Sequence, residues 1–78
     1  MDWSLMSSTE RHETVFEIIN GRPSGATIND ISDELEGFRM NLNNFKNLNM
    51  VLRKMAQAGK IDMKYLNSNR DAVYLPRR

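Results

Sequence analysis

The chain has 78 residues, 40% of them apolar and 27% charged, with a formal net charge of +1 and no cysteine. It reads as one small domain of the size that buries only about 60% of the surface its unfolded form exposes, and no disulfide can reinforce it. A single histidine without cysteine excludes a zinc site. No run of about 18 apolar residues offers a membrane span, and Met1-Asp2-Trp3-Ser4 lacks the basic and apolar stretches of a signal peptide, so the expected compartment is the cytoplasm.

The charge is informative once the chain is divided after Gly37. Residues 1–37 hold eight acids and two bases, a net of −6, and residues 38–78 hold nine bases and two acids, a net of +7. A basic half points to an anionic partner, unless the two halves pair with each other inside one domain.

In chain order, the first seven residues carry Trp3, Leu5 and Met6 among small polar residues. That composition is open to packing on the domain, to supporting a dimer or to fraying. Ser7-Ser8-Thr9-Glu10 has the form of a capping box and predicts a helix over 8–20, with Val15, Phe16, Ile18 and Ile19 as its buried stripe. Asn20-Gly21-Arg22-Pro23 stops it. Ser24-Gly25-Ala26 is a linker with room for a residue or two of strand. Thr27-Ile28-Asn29-Asp30 repeats the capping signature, and Ile28, Ile31 and Leu35 predict a short helix over 27–36. The strongest periodicity follows, with Leu42, Phe45, Leu48, Leu52 and Met55 recurring every three or four residues and Val51 beside them. This predicts a helix over 42–58 with one buried face, ended by Gly59. The period then changes to two. Ile61, Met63 and Tyr65 form one run, Val73 and Leu75 another, with turn-forming residues Asn67 to Asp71 between, so a β-hairpin is expected over 60–76. The expected core is Val15, Phe16, Ile19, Ile31, Leu35, Phe45, Leu48, Leu52, Met55, Ile61 and Val73.

This α+β order of three helices and a hairpin resembles the winged helix-turn-helix superfamily of DNA-binding domains, over roughly Thr9 to Pro76. The best local match is Val51-Leu52-Arg53-Lys54-Met55-Ala56-Gln57-Ala58-Gly59-Lys60-Ile61. It is similar to the end of that family's recognition helix and its passage into the first wing strand. Thr27 to Leu35 looks like the family's positioning helix. The stretch Gly37 to Asn44 is longer than in many bacterial members. The resemblance implies a small bacterial, phage or plasmid transcription regulator, with the helix over 42–58 in the major groove and the hairpin as a wing on backbone or minor groove.

On a helical wheel of about 100° per residue, the face opposite the apolar stripe holds Asn43, Lys46, Asn47, Met50, Arg53, Lys54 and Gln57, without an acid. Asparagine pairs with adenine and arginine with guanine through two bonds each. Asn43, Lys46, Asn47 and Met50 are therefore the candidates for base edges, and Arg53 for a base or a phosphate. Lys54 shares the face. Asparagines also cap helices, a role that suits Asn41 or Asn44. The hairpin offers Lys64 on its first strand and Asn69 and Arg70 at its tip. Double-stranded DNA is the expected partner. A second copy is expected as well, because one such domain spans few base pairs, with Trp3-Ser4-Leu5-Met6 as the extra surface. The alternative is a protein-interaction module that works through the acidic first half. No glycine-rich phosphate loop and no nucleophile–base–carboxylate set stands out. The chain is expected to be no enzyme and to need no cofactor or metal.

Overall fold

The first two helices begin at reciprocal caps. In α1 (Ser8–Asn20), Ser7 Oγ accepts from the Glu10 N–H at 3.2 Å, and the Glu10 carboxylate accepts from the Ser7 N–H at 3.0 Å. In α2 (Ile28–Glu34), Thr27 Oγ1 and the Asp30 carboxylate repeat the exchange at 3.2 and 3.0 Å. Each box satisfies orphan N–H donors at a helix start and fixes where the helix begins. Helix α3 (Leu42–Gln57) has a single cap, with Asn41 Oδ1 accepting from the Asn44 N–H at 2.8 Å. Its C-terminus closes with Lys60 N–H on the Met55 carbonyl and Gly59 N–H on Ala56, around Gly59 at φ 74°. That closure requires a left-handed residue, which glycine supplies at no steric cost. Gly21, by contrast, stays in the right-handed region at φ −78°.

The computed structural model describes residues 2–65 and 72–77. After α3 come β1 (Ile61–Tyr65) and β2 (Ala72–Pro76), an antiparallel pair with Met63 opposite Tyr74 and Tyr65 opposite Ala72. Ala26, in the α1–α2 connection, exchanges both backbone hydrogen bonds with Tyr74, at 2.9 and 2.8 Å. Strand β2 is therefore flanked on both sides at that point. The three helices followed by a hairpin form an α+β layout compatible with a winged-helix arrangement. Among the described residues no helix is long and apolar enough to cross a membrane.

The core joins Val15 and Ile19 of α1, Ile31 of α2 and Leu35 at its C-cap, and Leu48, Val51, Leu52 and Met55 of α3 to Ile61, Ala26, Tyr74 and Trp3. Four expected core or stripe positions lie elsewhere. In α3 burial begins only at Leu48, so the helix start stands clear of the body, leaving Leu42 69% and Phe45 40% exposed. Phe16 is exposed because it is turned by about 100° from Val15, which with Ile19 forms the inward edge of α1. In β2 the buried residue is Tyr74 rather than Val73. The bridge to Ala26 places Tyr74 in the middle of the pairing, and strand alternation then turns Val73 to the other face.

The least expected core member is Trp3, 1% exposed. A 3-10 turn over Trp3–Leu5 sets the ring edge-on to Phe38, with centroids 5.4 Å apart at 76°. The Trp3 N–H donates to the Glu36 carbonyl at 3.2 Å. Gly37, at φ 70°, leaves room for Asp2: a Cβ there would lie 2.4 Å from the Asp2 carboxylate. Of the three roles open to the N-terminal segment, the structure displays packing on the domain. The indole N–H finds no partner among the described residues, a cost of ~1–3 kcal/mol that burial of the large ring outweighs.

Trp3→Ala should lose ~3–5 kcal/mol, close to the whole stability of a small domain. Urea unfolding of the variant should show little cooperative transition, while Leu5→Ala, on the exposed side of the same turn, should unfold near the parent midpoint. An unchanged midpoint in Trp3→Ala would remove Trp3 from the core.

The capping carboxylates make a second expectation. Hydrogen bonds from the Ser7 backbone and side chain hold Glu10 below its ordinary 4.5, and those from Thr27 hold Asp30 below 3.8. A carboxylate with a depressed folded pKa stabilises the fold above its unfolded value and loses that contribution as pH falls through the folded one. The thermal midpoint should therefore drop below roughly pH 4, and Glu10→Gln with Asp30→Asn should flatten that drop. An equally steep acid limb in the double variant would assign it to other groups.

Candidate nucleic-acid interface

The four buried residues of α3 occupy an arc of about 100° on its wheel, which leaves a wide exposed face. Its centre is a stripe of Asn43, Lys46, Met50, Arg53 and Gln57, all exposed and without an acid. The Asn41 cap fixes where this stripe starts. Asn44 Nδ2 donates to the Arg39 carbonyl at 2.8 Å, which ties the preceding turn to the same point. Both asparagines thus serve the backbone.

Asn47 and Lys54 are exposed too, but they lie on the flank nearer α1. Asn47 Oδ1 accepts from Arg11 Nη1 at 3.1 Å. The same guanidinium donates through Nε and Nη2 to the Trp3 carbonyl at 3.1 and 3.0 Å, and its Cζ lies 4.7 Å from the Trp3 ring centroid. A two-bond adenine contact needs both the oxygen and the nitrogen of an asparagine amide. Arg11 occupies one of the two lone pairs of the Asn47 oxygen, so an adenine contact by Asn47 would share that oxygen with the guanidinium.

The opposite flank of α3 faces the hairpin across a groove of about 1090 Å³. Its helix wall carries Phe45, Asn49, Arg53, Ala56 and Gln57. Its hairpin wall carries Met63, Tyr65, Ala72 and Tyr74. Burial pushes the Tyr74 phenol up, Tyr65 adds to the shift, and the Arg53 cation opposes it. Arg53 lines this groove together with Phe45, Tyr65 and Tyr74. Lys64 is on the other face of β1, beside Asp62, Pro23 and Leu75, and is not gathered with the α3 stripe. Asn69 and Arg70 lie outside the described residues.

Phe45, Asn49 and Tyr65 were absent from the expected site. Their spacing carries a signal only in retrospect: Phe45, Asn49 and Arg53 recur every four residues, and Met63 and Tyr65 every two. The pairing of that helix edge with that strand face is tertiary.

The acids gather elsewhere. Glu10, Glu13 and Glu17 of α1 share a cleft of about 340 Å³ with Glu34, Glu36 and Met6. Glu34 also pairs with Arg22, whose pKa its carboxylate raises. Among the described residues no group of His, Cys, Asp and Glu is placed to hold a metal ion. His12 Nδ1 lies 2.8 Å from the Ser8 carbonyl oxygen of its own helix.

Comparison with family models, with curated proteins and with solved structures gives no match for this chain.

Arg11 holds the N-terminal turn and the flank of α3 together, so Arg11→Met should cost about 1.5–3 kcal/mol and shift the Asn47 side-chain amide resonances. Arg11→Lys, with a point charge in place of a planar fork, should recover only part of both. An Asn47 amide signal that ignores both substitutions would exclude the Arg11–Asn47 bond in solution.

Proposed function

We propose that this chain is a DNA-binding transcription regulator of the winged helix-turn-helix type. In this reading α3 is the helix in the major groove and the β1–β2 hairpin is its wing, and the compartment is the cytoplasm. The observation that carries it is the exposed α3 stripe. Asn43, Lys46, Met50 and Arg53 combine amide, cation and apolar contacts on one face that bears no carboxylate, and that mixture reads base edges while attracting phosphate.

The disposition of the acids supports the same reading. In helix-turn-helix docking the first helix of the pair crosses the DNA backbone, where carboxylates would repel it. In α2, Asp30 is engaged by its own cap and Glu34 by Arg22, which leaves Asp33 as the remaining exposed carboxylate of that helix. Glu34 and Glu36 line the cleft shared with α1. The first half of the chain is acidic, yet much of that charge is turned toward α1 or used in folding.

Lys46→Ala and Arg53→Ala should each weaken duplex binding and flatten the salt dependence of log K by about one unit of slope. Glu13→Ala should leave both nearly unchanged. Asn43→Ala should instead reduce discrimination between sites, by ~1–3 kcal/mol. The measurement is a titration with random and genomic duplexes at low salt, followed by NMR and anisotropy. No shift of residues 43–53 with either would end this reading.

A second reading has one specific observation in its favour. The cleft that joins Glu13, Glu17 and Glu34 to Met6 suits a basic, partly apolar protein segment. In that case Glu13→Ala and Glu17→Ala would lower partner affinity, and the α3 variants would not.

A further inference from the structure

The groove between α3 and the hairpin carries more aromatic surface than phosphate binding requires. Phe45 on the helix wall is 40% exposed and Tyr65 on the hairpin wall 66% exposed, while Tyr74 is buried at its base. A phosphate backbone is held by cations and by hydroxyl, amide and backbone N–H donors, and the open faces of aromatic rings add nothing to that. The polar groups beside the rings are also of particular kinds. Asn49 and Gln57 each offer an acceptor and a donor pair, and Arg53 offers a planar cation. Among the described residues no carboxylate lines the groove.

A nucleobase with its phosphate matches this set. Aromatic rings stack on the faces of bases, amides hydrogen-bond to their edges, and a guanidinium takes the phosphate. A base inside an intact duplex has both faces covered by its neighbours, so the occupant must leave the stack. That displacement is least costly where the base is mismatched or unpaired. Lys46 and Arg53 are exposed on the adjoining stripe, and Arg53 also lines the groove.

We propose that the groove between α3 and the hairpin receives a single nucleobase turned out of a DNA duplex, so that the preferred ligand is DNA containing an unpaired base. The proposal rests on the DNA-binding reading of α3 and specifies which DNA it takes.

The test uses the full chain and two duplexes that differ only in a one-nucleotide bulge, the bulged base being 2-aminopurine. The bulged duplex should bind more tightly, and its 2-aminopurine fluorescence should be quenched as the base stacks on a ring. Tyr65→Ala, at an exposed position, should reduce bulge affinity on the order of 5- to 100-fold and restore the fluorescence, with a smaller loss of paired-duplex affinity. Lys46→Ala should weaken both duplexes alike. Equal affinity for the two duplexes, with unquenched 2-aminopurine and Lys46→Ala still weakening both, would overturn the base pocket and leave the DNA-binding reading standing. Absence of binding to both duplexes would overturn both readings. A Tyr65→Ala variant that alters sedimentation but not bulge binding would assign the groove to a second copy of the chain, and would overturn the proposal as well.

Discussion

Arg11 over Trp3 is the interaction on which the remaining arrangement depends. One guanidinium donates twice to the Trp3 carbonyl, covers the indole face and reaches Asn47 of α3. It thereby joins the N-terminal turn, the first helix and the third. A domain of this size has little apolar surface to bury and no cysteine to staple it. The largest side chain in the sequence, at position 3, supplies a substantial part of what the helices alone leave uncovered. Planarity matters here: a lysine would present a charge to the ring but could not address the carbonyl and the amide together.

The same economy shapes the charge distribution. Two of the eight acids of the first half close capping boxes and a third pairs with Arg22. The second half uses different means for the same tasks. Helix α3 is capped by asparagine and closed by glycine, neither of which adds charge. Its exposed face is thus left to amides and cations. Local folding requirements and surface potential are met by different residue types in the two halves, which is how a chain of nearly zero net charge comes to have an acidic cleft and an acid-free stripe.

The parts of the fold that were legible in the sequence are those set by short-range chemistry. Ser7 with Glu10, Thr27 with Asp30, and Asn41 ahead of α3 mark helix starts that the structure places within a residue of expectation. The change of period after Gly59 marked the hairpin. Long-range relations were not legible. Trp3 belongs to no periodic pattern, and nothing near it in sequence announces Phe38 or Arg11 as neighbours. Phe45 fits the apolar stripe of α3, yet its burial depends on whether another element reaches the first turns of that helix. The inward face of β2 turns on a bridge to Ala26, 48 residues away. For the interface, the exposed stripe of α3 could be read from the wheel. The engagement of Asn47 by a residue of α1 and the groove shared with the hairpin required the third dimension.

The Ala26–Tyr74 bridge has a consequence for how the molecule opens. It fastens the last strand to the connection between the first two helices, while Trp3 at the other extreme of the chain enters the same core. Neither end can therefore detach as a minor local event. Releasing the hairpin uncovers Ile61 and Tyr74, and releasing the N-terminal turn uncovers Phe38 and the flank of α3. Amide hydrogens deep in α1, α3 and β2 are accordingly coupled to one global opening rather than to graded fraying. Their exchange rates should converge on a common free energy, the signature of a domain in which the two termini share one cooperative unit.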